Sequence, residues 1–200
     1  MLGLPAGTEI YKVITKKKVF EHFGAEMSTE RRKSFDADIA RITLTNEVSP
    51  VSVNIAMGEN INSFFVLLVE LKRKDFDKQN IAFLTKIFRQ KLLLVLECEG
   101  KQSLSVWQTH LILGPWAAPD ALKVTLDGLD LDKIWENIVA NVAGVEVAQG
   151  QTLDEQLAAQ QKRQKLEKEI TKLEKIAWTE KQPKKKLEYK KKIEKLRCHL

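Results

Sequence analysis

The stretch Ser63-Phe64-Phe65-Val66-Leu67-Leu68-Val69-Glu70-Leu71-Lys72 decides the fold. Its apolar run is continuous rather than alternating, the pattern of a central strand covered on both faces. The run falls far short of the roughly 20 apolar residues that cross a bilayer as a helix. Downstream, Asp77 through Arg89 places Ile81, Leu84, Ile87 and Phe88 at the spacing of a helix packed on a sheet, and Leu92 to Leu96 is a further buried strand. Glu99-Gly100-Lys101 is a tight turn into Leu104, Val106 and Trp107, which predicts a β-hairpin. A loop follows through Gly114-Pro115 and Pro119. Leu131 to Val142 then carries Ile134, Trp135, Ile138 and Val139 as an amphipathic helix.

Upstream of the central strand, Ser28-Thr29-Glu30 opens a helical stretch that includes Phe35 and Ile39. From Ala40 to Glu47, Ile42 and Leu44 alternate with Arg41, Thr43 and Thr45, as in a half-buried strand. After Pro50, Val51, Val53 and Ile55 alternate with Ser52 and Asn54, and predict a second strand, closed by turn residues from Gly58 to Asn62. The expected order is helix, strand, strand, strand, helix, strand, strand, helix. That is an α/β fold around a small mixed sheet with flanking helices.

The chain has 200 residues, 44% hydrophobic and 30% charged, which excludes both a disordered and a membrane-embedded class. No apolar leader segment opens it, and Cys98 and Cys198 belong to no metal-spaced set, so a reducing cytoplasm is the expected compartment. The net charge of +6 is unevenly placed: residues 1–150 hold 18 basic against 19 acidic side chains, residues 151–200 hold 15 against 8. The shift marks a boundary near Gly144–Gly150. The expected organisation is an α/β core domain over 1–147 and a basic helical hairpin over 148–200.

Thr152 followed by Glu155 has the capping-box spacing that starts a helix. Leu166, Ile170, Leu173 and Ala177 continue it as a heptad-type seam. Gln182-Pro183 interrupts the helix, and Tyr189, Ile193, Leu196 and Leu200 form a second seam. Two such segments fold back as an antiparallel hairpin of coiled-coil type, its first arm about 40 Å long at 1.5 Å per residue. Three readings of it compete. It is a solvated spacer, a protein-docking arm using Trp178, Leu173, Tyr189 and Ile193, or a nucleic-acid arm. In the last case Lys184, Lys185, Lys186, Lys190, Lys191 and Lys192 would meet the phosphates of DNA or RNA without sequence preference.

One triplet carries a candidate chemistry. Restriction-type nuclease cores share the order helix-strand-strand-strand-helix-strand and place an acid, then (Asp/Glu)-x-Lys, at a strand end. Glu70-Leu71-Lys72 stands at such an end, and residues i and i+2 share one face of a strand. A carboxylate there would hold Mg²⁺, the one cofactor this alternative requires, and the lysine would steady the attacking water or the charge on phosphorus. Glu59 is the nearest second acid, and Glu30 a further one. Against this stands the commonness of Glu-x-Lys, with no Pro-Asp ahead of it, so a non-catalytic role is the leading expectation. His22, His110 and His199 are isolated, no phosphate-binding glycine loop is present, and Cys98 falls in an apolar strand. Trp107 and Trp135 have core-like spacing, whereas Trp116, in a Gly-Pro-Trp loop, is a candidate contact residue.

Several segments together resemble one bacterial family: Leu2-Gly3-Leu4-Pro5, Val69-Glu70-Leu71-Lys72, Lys91 to Glu97 with the Gly100 turn, Glu180-Lys181-Gln182, and Lys185-Lys186-Leu187-Glu188. The chain is similar, over nearly its whole length, to domain-of-unknown-function family four-three-nine-one. The loop from Leu111 to Pro119 lacks that family's aromatic-rich character. The resemblance implies no assigned activity. It implies a setting beside helicases and DNA methyltransferases of restriction-like anti-phage defence clusters. The resulting expectation is an accessory subunit that docks through its hairpin on a helicase-like or DNA methyltransferase-like partner, without a membrane.

Overall fold

A computed structural model describes residues 2–22, 27–86, 88, 90–146 and 152–198. The chain divides into two compact units, Met1–Glu146 and Val147–Leu200.

The first unit is built on a six-stranded sheet with strands in sequence order: β1 (Glu9–Ile14), β2 (Ile39–Val48), β3 (Phe64–Leu71), β4 (Lys91–Cys98), β5 (Lys101–Trp107) and β6 (Leu111–Leu113). Only β3 and β4 pair parallel, in register from Phe64↔Lys91 to Glu70↔Glu97; every other neighbouring pair is antiparallel. A parallel pair needs a crossover, and α4 (Lys78–Thr85) supplies it. Because helices cover both faces, β3 and β4 tolerate no alternation, and this is why their sequences are continuously apolar.

On one face Leu67, Val69, Leu71, Leu92, Leu94 and Leu96 meet Val19 of α1 (Lys16–His22), Phe35 of α2 (Thr29–Asp38), and Ile81 and Leu84 of α4. On the other, Phe64 meets Trp135 of α5 (Leu131–Ala143) with ring centroids 5.3 Å apart. The start read in the sequence at Ser28 holds, its side chain accepting the N–H of Arg31 at the head of α2; at the head of α5 Asp130 accepts the N–H of Lys133.

Three differences have local causes. Val51-x-Val53-x-Ile55 is not a strand. Pro50–Val53 is a single helical turn, α3, with Pro50 in its first turn and a reciprocal Ser49/Ser52 capping box, and Val51 is 95% exposed. A strand and a helix precede α2: β1 was hidden because Tyr11, at φ 47°, sits where the register slips, so apolar residues do not alternate. Finally, Leu111–Leu113 adds β6 beyond the expected hairpin, and Trp116 packs against the core rather than standing out as a contact residue.

In the second unit, α6 (Leu153–Thr179) starts with the Thr152/Glu155 capping box, and α7 (Pro183–Arg197) starts at the proline. The two helices pack together through Ile170, Leu173, Ala177 and Ile193, with Tyr189 and Leu196 alongside. Leu200 of the expected seam lies outside the described residues. No helix among the described residues is long and apolar enough to cross a membrane.

Candidate functional site

The nuclease-type triplet comes apart at the end of β3. Glu70 pairs laterally with Arg41 of β2, its carboxylate 4.0 Å from the guanidinium, and stands beside Glu97 on β4. Gln102 of β5 donates to Glu97 at 2.7 Å, which completes a polar row across four strands. Lys72 does not share that face. The strand stops at Leu71, and the Lys72 ammonium donates to the Asp36 carbonyl oxygen at 2.6 Å, on α2. Lys72 lies one residue past the strand end, and its side chain turns to α2 while Glu70 pairs with Arg41, so the i/i+2 rule for a strand does not join them. Glu59 precedes β3, so it lies at the opposite end of that strand, and its backbone N–H joins the set that holds Asp132. Glu30 is on the exposed first turn of α2. Among the described residues no group of three or more His, Cys, Asp and Glu is placed to hold a metal ion.

What gathers beside Lys72 is structural. The fully buried carboxylate of Asp38 accepts from Arg73 at 2.5 Å, from the Asn80 amide at 2.7 Å and from the Asp77 N–H at 2.9 Å. Arg31 in turn donates to Asp77 at 2.7 Å. Burial pushes the Asp38 pKa up, but the Asp77 N–H, the Asn80 amide and Arg73 outweigh it and hold the carboxyl below its ordinary value. Asp36 is likewise held low, chiefly by Lys16, which donates to it at 2.5 Å. These groups tie α2 to the β3–α4 connection.

The second unit presents a different surface. Leu173 and Ile193 are buried in the seam and Tyr189, half-buried, packs against them, so these three hold the hairpin together. Trp178 does the opposite. It follows Ala177 of the seam but turns outward, 85% exposed. It borders a groove of about 410 Å³ with Glu174, Ala177, Lys186, Lys190, Ile193, Glu194 and Arg197. Helical geometry explains the composition. Residues four apart fall on one side of a helix, so Glu174 and Trp178 flank the groove from α6, and Lys186, Lys190 and Glu194 from α7. Arg197 closes one end through a 2.7 Å ion pair with Glu174.

The six lysines are therefore not one patch. At 100° per residue, Lys186 and Lys190 sit on the groove side of α7, Lys185 and Lys192 on the other flank, and Lys184 and Lys191 on the outer face. Sequence reasoning found Trp178 but missed Arg197 and Glu174. The signal for Glu174 was its i, i+4 step to Trp178.

No curated protein and no solved structure matches the chain. One family model does, and it spans both the mixed sheet and the basic hairpin. With residues 2–200 matched, the chain belongs to the family described as Domain of unknown function (DUF4391).

Proposed function

We propose that the chain is a non-catalytic interaction subunit of a bacterial DNA-processing, restriction-like anti-phage defence assembly, and that its hairpin docks on a helicase-like or DNA methyltransferase-like partner. The observation that carries the reading is Trp178, a large aromatic left in water beside a groove between two helices. Exposed tryptophans that border a shaped recess are the residue type that dominates protein interfaces. Lys186 and Lys190 on the groove wall, within a unit of 15 basic and 8 acidic residues, favour an acidic partner segment that brings one apolar anchor to the indole. The parting of Glu70 from Lys72 gives the nuclease alternative little support.

The test is affinity purification of the full chain and of Trp178→Ala from native lysate, with nuclease added to remove bridging nucleic acid. A helicase-like or methyltransferase-like protein is recovered by the full chain, and the variant binds it about tenfold more weakly or worse. Equal recovery by both forms would sink the docking role of Trp178.

A second reading rests on the lysines of α7, which surround that helix on three sides of the seam. In it the hairpin meets nucleic-acid phosphates directly. Its signature is a log-log fall of affinity with salt whose slope is about −0.9 per phosphate neutralised on duplex DNA. Binding that ignores salt rules it out.

A further inference from the structure

A second recess, in the first unit, belongs to none of these readings. It has a volume of about 430 Å³ and lies where β3 and β4 begin, between the turn ahead of β3, the end of α4 and the last residue of β5. That volume is within the roughly 300–1,000 Å³ of small-molecule sites.

One wall is held stiffly. The carboxylate of Asp132, on the first turn of α5, accepts the Ile61 N–H at 2.8 Å, the Asn60 N–H at 3.0 Å and the Asn60 amide at 3.1 Å. Gly58 closes the turn through its N–H to the Ile61 carbonyl at 3.0 Å, and a Cβ there would strike Asp132, coming 2.8 Å from its backbone nitrogen. A turn clasped in this way needs little ordering when a ligand arrives.

The lining selects charge and shape. Among the described residues no carboxylate lines the recess, and Lys91 is its one ammonium. Lys91 is half-buried, its ammonium donates to the neutral Gln108 Oε1 at 3.2 Å, and no described carboxylate lies within ion-pair distance of it. A half-buried cation compensated only by an amide oxygen favours an anion. Trp107, 38% exposed at the rim, offers a plane for stacking, and Asn62 and Gln90 offer donor and acceptor on the same amide.

We propose that this recess binds a mononucleotide, with its phosphate on Lys91, its base against Trp107, and the base edge met by the amides. The observation that joins these parts is one cation met only by a neutral amide, beside one exposed indole, in a recess lined by no carboxylate among the described residues.

Isothermal titration of the full chain with the four ribonucleoside 5′-monophosphates tests it, with the four nucleosides and inorganic phosphate as separate arms. At least one nucleotide binds, and both the nucleoside and inorganic phosphate bind more weakly. Lys91→Met and Trp107→Leu each lower nucleotide affinity about tenfold. The absence of heat with every nucleotide at about 1 mM would overturn the proposal. So would equal affinity for nucleoside or phosphate, or unchanged affinity in the variants. Circular dichroism checks that each variant is folded, and Trp107→Leu, at a rim position, decides alone where Lys91→Met is not.

Discussion

At the scale of single residues, Asp38 is the side chain whose loss the first unit should feel most. It is fully buried and accepts from Arg73, Asn80 and the Asp77 N–H, so its removal strands three donors at once. Asp38→Ala should cost about 2–3 kcal/mol, discounted because the Arg73 side chain is half-exposed and regains water. Urea denaturation checks it, as a lower midpoint at unchanged slope. The same carboxylate sets an acid limit. Its folded pKa lies below its ordinary value of 3.8, so its contribution is complete above that value and is lost as pH falls through the folded pKa. Asp36 and Asp132 are shifted in the same direction. Stability of the wild-type chain should therefore fall below about pH 4. Asp38→Ala should lose less over that range, and parallel acid titrations would show an unchanged slope if Asp38 were not a contributor.

At the scale of elements, the hairpin's second arm depends on its seam. Pro183–Arg197 is a 15-residue helix, and isolated helices of that length are marginal in water. Its packing rests on Ile193, Tyr189 and Leu196 against Ile170, Leu173 and Ala177. Ile193→Asp buries a carboxylate among apolar groups and should melt α7, with a loss of about 15 residues of helicity at 222 nm. Retained helicity would show that α7 needs no partner helix. Elements such as these were legible because their seam repeats and their cap, Thr152 with Glu155, are local signals. The central strands were legible for the same reason, through uninterrupted apolar runs. What escaped was set by local backbone chemistry against the pattern. At Val51-x-Val53 the capping box and Pro50 turn an alternating sequence into a helical turn. At Tyr11 a positive φ breaks the alternation of β1. The candidate site divides likewise. The outward turn of Trp178 follows from its place beside the seam, whereas the parting of Glu70 from Lys72 depends on β3 ending between them, which a triplet cannot report.

At the scale of the whole molecule, the two units differ in how much holds them. The first has a core with Phe35, Ile39, Leu67, Leu94 and Leu96 fully buried, and a central parallel pair enclosed by strands on both sides. The hairpin's seam is four buried residues, and among the other described residues of α6 and α7 Leu153 and Leu157 alone are buried. Local opening free energies follow such differences: backbone hydrogen bonds under a large core exchange only through global unfolding, those of a thin seam through local opening. Native-state hydrogen exchange should therefore find the slowest amides in β3 and β4, between Phe64 and Leu71 and between Lys91 and Cys98. The amides of α7 should exchange orders of magnitude faster, since a two-helix contact of this size supplies only a few kcal/mol against fraying. Charge sharpens the contrast: the basic excess is confined to the hairpin, so low salt loosens it by self-repulsion and leaves the nearly neutral first unit unmoved. Protection in α7 should rise as salt is added, while that of β3 and β4 stays constant. Equal protection of α7 and β3 at every salt concentration would mean that the chain unfolds as one cooperative body, and a docking hairpin would then have to be read as part of the core.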